Sequence, residues 1–275
     1  MGNMLVEALS TLTRTKCWVR KDILLLEFTV SNACIISGLG KQKDQWVLVD
    51  TGLENSGDFI RHVVEDELGL GKKPEAIILT HGHFDHVGSV FELATHWDVP
   101  VYIHPLELPY VTGKKDYPLA DTEVDDGWIA KLSKSFPHTS IDLGDRVHPL
   151  PEDGTIPHLP EWRFILVPGH TEGQIALFRE RDGVLIASDA FTTVKQESLM
   201  SVLSQHETVS GPPKYFTTNW EEAKKSIQKI IDLNPQLAIV SHGQPIEGEE
   251  LRNRLQELMN HFDEVAKPHH KKTVE

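Results

Sequence analysis

The chain has 275 residues, enough to bury a sizeable core as one domain or a close pair. Its formal charge is −14, from 27 Lys and Arg against 41 Asp and Glu. That argues against nucleic acid or an anionic membrane as the main partner, because phosphate binding needs clustered cations. No apolar run is long enough to span a bilayer. Met1 to Thr13 lacks the basic start and apolar core of a signal peptide, and two cysteines, Cys17 and Cys34, make no disulfide framework. The expectation is a cytoplasmic protein that acts on a small molecule, with no nucleic-acid or membrane partner and an oligomeric state on which the sequence is silent.

In chain order, Ile23–Phe28, Ala33–Ile36 and Trp46–Val49 read as strands, with a turn over Gly40–Gln45. Asp58 to Leu68 carries helical spacing through Phe59, Ile60, Val63, Val64 and Leu68. The apolar run Ala76–Leu79 predicts a strand, followed by a helix from near Val87 to about Thr95 and a short strand at Val101–Ile103. From His104 to Pro160 the pattern is irregular. Periodicity returns in Phe164–Val167 and Ile175–Phe178, and Asp182-Gly183 turns the chain into Val184–Ala187. A second irregular stretch runs from Phe191 to Phe216. Trp220–Leu233 reads as a helix, Leu237–Val240 as a strand, and Glu247 to about Val265 as a final helix. The whole reads as a single domain over 1–275, with 105–160 and 191–216 as substrate-region insertions and 267–275 as a frayed tail.

The stretch Thr80-His81-Gly82-His83-Phe84-Asp85-His86 places three histidines and an aspartate between a strand and a helix, where α/β folds place their chemistry. Neutral imidazole and carboxylate suit Zn²⁺ and similar cations. Three further donors stand just beyond apolar runs: His170, Asp189 and His242. A small residue (Gly169, Ser188 or Ser241) precedes each, which lets backbones approach a crowded site.

This ordered set resembles the metallo-β-lactamase-fold superfamily, with its His-x-His-x-Asp-His signature and downstream His, Asp and His. The resemblance implies an α/β four-layer αββα sandwich, two mixed sheets packed face to face with helices outside. It further implies that His81, His83 and His170 hold one metal, that Asp85, His86 and His242 hold a second, and that Asp189 bridges them. Asp50 matches an early strand-end aspartate that orients a ligand imidazole or the first turn.

Two divalent ions roughly 3.5–4 Å apart can share a water and bring its pKa toward ~7, so the expected reaction is hydroxide attack on an ester-like bond. Asp85, a ligand, could also accept and pass on a proton. His83 in place of a Glu favours zinc over the carboxylate-rich iron sites of flavodiiron relatives, with Mn²⁺ and Fe²⁺ as the other candidates. The superfamily hosts many reactions. A lactone or other carboxylic ester ranks first, a glyoxalase II-like thioester second and a phosphodiester third. An iron-dependent redox protein is the rival reading. The basic glutathione-binding extension of glyoxalase II is not seen, and the lactonase Tyr three residues after the bridging Asp is here Thr192. The two insertions, with Leu106, Leu108, Tyr110, Tyr117 and Trp128 in one and Leu199, Met200, Leu203, Tyr215 and Phe216 in the other, are where substrate choice is expected. Thr192 and Tyr215 are the candidate pocket residues.

Overall fold

A computed structural model describes residues 14–121, 136–194 and 209–268. Trp128, Leu199, Met200 and Leu203 lie outside the described residues. Contacts divide the chain into two compact units. The first comprises the described residues up to Tyr117 together with Thr139–Phe164. The second comprises the described part of Pro118–His138 and the chain from Ile165 onward. Each carries one mixed sheet with helices, the α/β class expected.

The first unit is built on a seven-stranded sheet. Its strands are β1 (Arg14–Arg20), β2 (Ile23–Phe28), β3 (Asn32–Leu39), β4 (Gln45–Val49), β5 (Ile77–Ile78), β6 (Val101–Ile103) and β7 (Val147–Pro149), paired in sequence order. The first four are antiparallel and the last four parallel. Parallel pairs need crossovers. Helix α1 (Gly57–Leu68) supplies the one between β4 and β5, and α2 (Phe84–Val87) with α3 (Val90–Trp97) supplies the next. The short α4 (Leu108–Val111) lies between β6 and β7. Leu24, Leu26, Ile35 and Leu48 of the sheet pack with Ile60, Val63 and Val64 of α1 and Val90, Leu93 and Ala94 of α3. Ile23, Leu25, Cys34 and Ile36 are buried too, so both faces of these strands are covered. That is why they read as continuous apolar runs instead of alternating ones. Burial raises the Cys34 thiol above its ordinary range, so it packs as a small apolar group.

The second unit is a five-stranded sheet. Its strands β8 (Arg163–Leu166), β9 (Ile175–Arg179), β10 (Val184–Ser188), β11 (Leu237–Val240) and β12 (Ile246–Glu247) run β12-β11-β10-β9-β8 across the sheet. The β10–β11 pair is parallel, and α5 (Trp220–Asp232) makes that crossover. Ala223, Ile227 and Ile230 of α5 join Leu251, Leu255 and Leu258 of α6 (Gly248–Asn260) over Ala176, Phe178, Leu185 and Ala238. Asn219 Oδ1 accepts from the Glu222 amide at 3.1 Å and caps the start of α5.

Several elements differ from the sequence reading. β1 was not expected, because its alternating exposure and its Arg and Lys side chains mark an outer edge strand, not a core run. β7 adds a strand inside the first irregular stretch; three residues ending in a proline carry no periodic signal. The helix expected from Val87 is broken at Gly88-Ser89. There the backbone passes so near Leu53 that a Cβ on Gly88 would stand 2.3 Å from the Leu53 carbonyl carbon. Ser89 Oγ donates to Leu53 O at 2.7 Å across the same approach. Glu247 belongs to β12, paired with Leu237, and the final helix breaks at His261 before α7 (Phe262–Val265). Lys267, at the start of the expected tail, pairs with Asp263 at 2.6 Å and Glu221 at 2.9 Å. No helix among the described residues is long and apolar enough to cross a membrane.

Candidate metal centre

The first unit gathers His81, His83, Asp85 and His86 into the turn after β5 and the single turn of α2, all four buried. Parallel pairing of β4 with β5 brings Asp50 beside that turn, with its amide donating to Ile78 O at 2.9 Å. Asp50 adopts the left-handed region at φ 59°, which turns its carboxylate toward the turn. Asp50 Oδ1 accepts from the Thr80 amide at 2.8 Å, and Oδ2 accepts from Thr80 Oγ1 at 2.8 Å. The same Oδ2 lies 2.9 Å from His86 Nδ1. The backbone is anchored as well. Thr51 N and Oγ1 both donate to His86 O, at 2.8 and 2.7 Å, and Ser31 Oγ donates to Asp85 O at 2.7 Å.

These partners assign the tautomers. The one proton of Thr80 Oγ1 goes to Asp50, so toward His81 Nδ1, 3.2 Å away, the hydroxyl accepts. His81 is therefore protonated at Nδ1 and bare at Nε2. His86 gives its Nδ1 proton to Asp50, which leaves Nε2 bare. His81 Nε2 then meets His83 Nδ1 at 3.0 Å. Two ligands of one tetrahedral zinc at 2.0–2.1 Å stand roughly 3.3 Å apart, so the spacing fits a shared cation.

Behind the turn, the Gly82 amide donates to Tyr117 Oη at 2.9 Å and to Glu107 Oε2 at 3.2 Å. Tyr117 Oη in turn donates to Glu107. Burial first, and the nearby Glu107 carboxylate second, raise the Tyr117 phenol well above its ordinary range, so it stays a donor. His104 lies off this cluster. Its Nδ1 accepts from the Leu106 amide at 3.3 Å and caps the turn over Pro105–Glu107.

The second unit gathers His170, Asp189 and His242. His170 follows Gly169, whose φ of 132° and whose carbonyl, accepting from Thr218 N and Asn219 N at 3.0 and 2.9 Å, tie the loop to the start of α5. Asp189 follows Ser188 in the left-handed region at φ 53°, and His242 precedes Gly243 at φ 109°. Because β10 and β11 run parallel and adjacent, their ends place Asp189 and His242 side by side. Asp189 Oδ2 lies 3.2 Å from both His170 Nε2 and His242 Nε2, again the separation of ligands on one cation. Thr217 Oγ1 donates to Pro213 O at 2.7 Å, so it accepts from His170 Nδ1 at 3.1 Å and leaves His170 Nε2 bare.

The first unit thus gathers four of the predicted donors and the second gathers three, imidazole nitrogens and carboxylate oxygens of the kind divalent zinc, iron or manganese takes. Of the candidate pocket residues, Thr192 is buried and its hydroxyl donates to Val194 O at 2.8 Å, within its own loop. Tyr215 is buried against Phe136 and Phe216, with ring centroids at 5.9 and 5.1 Å. Sequence reasoning missed the orienting parts of Thr80, Thr217, Glu107 and Tyr117. Thr80 had a signal in its place beside His81. Thr217 and Glu107 had none, because their partners are distant in the chain.

The sequence model of the metallo-β-lactamase superfamily matches residues 27–242. A probable metallo-hydrolase of Bacillus subtilis (strain 168), YflN, is 45% identical over 245 residues, covering 89% of this chain and 92% of that protein. A solved β-lactamase domain protein from Burkholderia ambifaria has a TM-score of 0.60 at 20% identity, covering 90% of this chain and 76% of its own. A protein solved in a di-iron-bound form has a TM-score of 0.54 at 24% identity, covering 79% and 89%. The two structural likenesses concern the fold alone. The sequence match runs from within β2 to His242, and so takes in all seven donors together with the strands that carry them. On that match and the relative at 45% identity, the chain belongs to the metallo-β-lactamase superfamily.

Proposed function

We propose that this chain is a dinuclear metal-dependent hydrolase of ester-type bonds, acting on a lactone or other small carboxylic ester. The observation that carries the reading is the hydrogen bonding of three imidazoles through Nδ1. His81, His86 and His170 each have Nδ1 engaged by Asp50, Thr80 or Thr217, so each presents Nε2 to a cation. His81, His83 and His170 would hold one metal and Asp85, His86 and His242 the other, with Asp189 a ligand available to both. Divalent metals at such donors supply a water nucleophile at neutral pH and a Lewis acid for a carbonyl oxygen.

The chain's own groups do the rest. Asp50 holds the His86 ring and the Thr80 hydroxyl in one orientation. Asp85 would take at its carboxylate the proton given up by the attacking water and pass it to the leaving oxygen as the ester C–O bond breaks. Thr192 and Tyr215 belong to the wall on the substrate side. Zinc is the first choice of metal on the strength of His83, where a Glu would raise the negative charge and suit iron. A chain of net charge −14 takes a small molecule in preference to nucleic acid or a membrane surface, and its two free cysteines suit the cytoplasm.

The test is a hydrolysis screen on purified, metal-analysed protein with matched lactone, thioester, β-lactam and phosphodiester substrates. A chelated sample and His242→Ala serve as controls. The expected result is a chelator-sensitive rate on the lactone or ester, absent in His242→Ala. A rate confined to the thioester or phosphodiester would overturn the ester assignment. Bound iron with reversible redox change and no hydrolysis would move the chain to the redox reading.

Thr217→Val offers a finer check. The substitution keeps the side chain's shape but removes the acceptor for His170 Nδ1. Metal should leave about 10-fold more readily in a competition titration, in line with other groups that orient a ligand. Unchanged metal affinity would count against His170 as an Nε2 ligand.

A further inference from the structure

We propose that Glu107 and Tyr117 are positioning residues that hold the Gly82 amide, and so set the spacing between His81 and His83. The inference rests on the reading of those two histidines as ligands. Glu107 is fully buried. A buried carboxylate costs several kcal/mol unless hydrogen bonds compensate it, so its partners indicate what it is there for. Two of them are the Tyr117 hydroxyl and the backbone N–H of Gly82. Gly82 is the one residue between the two donors. Its peptide orientation decides whether His81 Nε2 and His83 Nδ1 converge, as they do at 3.0 Å.

Three observations point the same way. The Tyr117 ring lies against the His83 ring, with centroids 4.4 Å apart at 57°, so one side chain touches both the amide and the imidazole. Tyr110 stacks flat on the other side of Tyr117 at 3.9 Å and 5°, with Lys115 Nζ 4.8 Å from the Tyr110 ring centre. That stack leaves Tyr117 little room to move. Finally, a Cβ on Gly82 would stand 2.7 Å from Tyr117 Oη. The phenol occupies the space a side chain would need, which explains the glycine in the middle of the His-x-His pair. With its N–H held by two acceptors, the peptide is kept in one orientation, which sets the separation of the two nitrogens before any metal arrives.

The test compares wild type with Tyr117→Phe, Glu107→Gln and Tyr117→Leu. The readouts are metal retained against a competing chelator, the visible absorption of the Co²⁺-loaded protein, and the melting temperature of the metal-free protein. Tyr117→Phe keeps the ring on His83 and loses only the hydroxyl. It should bind metal about 10- to 100-fold more weakly with an altered Co²⁺ spectrum, while the metal-free protein still melts cooperatively, a few degrees lower for the lost partner of Glu107. Glu107→Gln should move the metal readouts in the same direction. Wild-type metal affinity and an unchanged Co²⁺ spectrum in Tyr117→Phe, with loss only in Tyr117→Leu, would overturn the proposal in favour of ring packing alone. A wild-type chain that takes up no metal would overturn the underlying hydrolase reading with it, whereas equal uptake by wild type and Tyr117→Phe overturns this inference alone. Should Glu107→Gln fail to fold, Tyr117→Phe still decides.

Discussion

On the dinuclear reading proposed above, Asp189→Asn should strip the metal pair and lower turnover more than ~100-fold, because even groups one step removed from a metal cost 10- to 100-fold when altered. The reason is local. One oxygen of Asp189 faces two imidazole nitrogens at 3.2 Å, and an amide at that place offers half the lone-pair capacity and no charge. Asp182→Asn is the matched comparison. Its carboxylate lies on the turn between β9 and β10, where it accepts from Arg179 Nε and an Arg179 terminal nitrogen at 2.9 and 2.8 Å. Arg179 is buried while Asp182 is about a third exposed. Weakening that pair should lower stability by about 1–2 kcal/mol, reduced from the buried-pair range by solvent at the aspartate. Metal content should stay whole. Metal analysis and thermal melts on the two variants separate the roles: metals lost in Asp189→Asn, melting temperature lost in Asp182→Asn. Equal metal loss in both would remove Asp189 from the bridging place.

Gly169→Ala should carry the largest penalty on the fold. The residue has φ 132°, which L side chains rarely adopt, and a Cβ there would stand 2.4 Å from the Ala223 nitrogen and 2.5 Å from its α-carbon. Those atoms are the backbone of α5, so no side-chain rotation relieves the contact. Strain and overpacking together should cost about 3 kcal/mol, a fall of roughly 5 °C in melting temperature for a chain of this size. Gly69→Ala isolates the strain, since Gly69 also has a strongly positive φ (108°) and only Lys72 Cγ, at 4.0 Å, near the place its methyl would take. It should cost ~1 kcal/mol. Similar losses in the two variants would mean that backbone strain, and not the contact with α5, makes Gly169 a glycine.

How much of this was legible beforehand differs from element to element. Core strands such as Ile23–Phe28 and Leu237–Val240 announce themselves, because strands covered on both faces must be apolar throughout. The edge strand β1 does not, since none of its residues is buried and three of them, Arg14, Lys16 and Arg20, are cationic. The break at Gly88-Ser89 was illegible for another reason: helical spacing continues across it, and only the passage of Leu53 interrupts the helix. The seven donors were legible because a ligand needs a specific residue type, and these side chains follow closely on the ends of strands. Glu107 and Tyr117 lie in a stretch without periodicity, and nothing in their types or spacing ties them to Gly82.

The sequence by itself determined the donor chemistry and its order along the chain: imidazole and carboxylate, placed after apolar runs that had to become strands. Tertiary structure alone decided which nitrogen of His81, His86 and His170 is taken up by a hydrogen-bond partner. The tautomer depends on a hydrogen-bond partner reached through space, as with Asp50, 36 residues before His86, or Thr217, 47 residues after His170. No pattern of residue types encodes so distant a pairing, because it exists only once strands have been laid side by side and a loop has been closed against them.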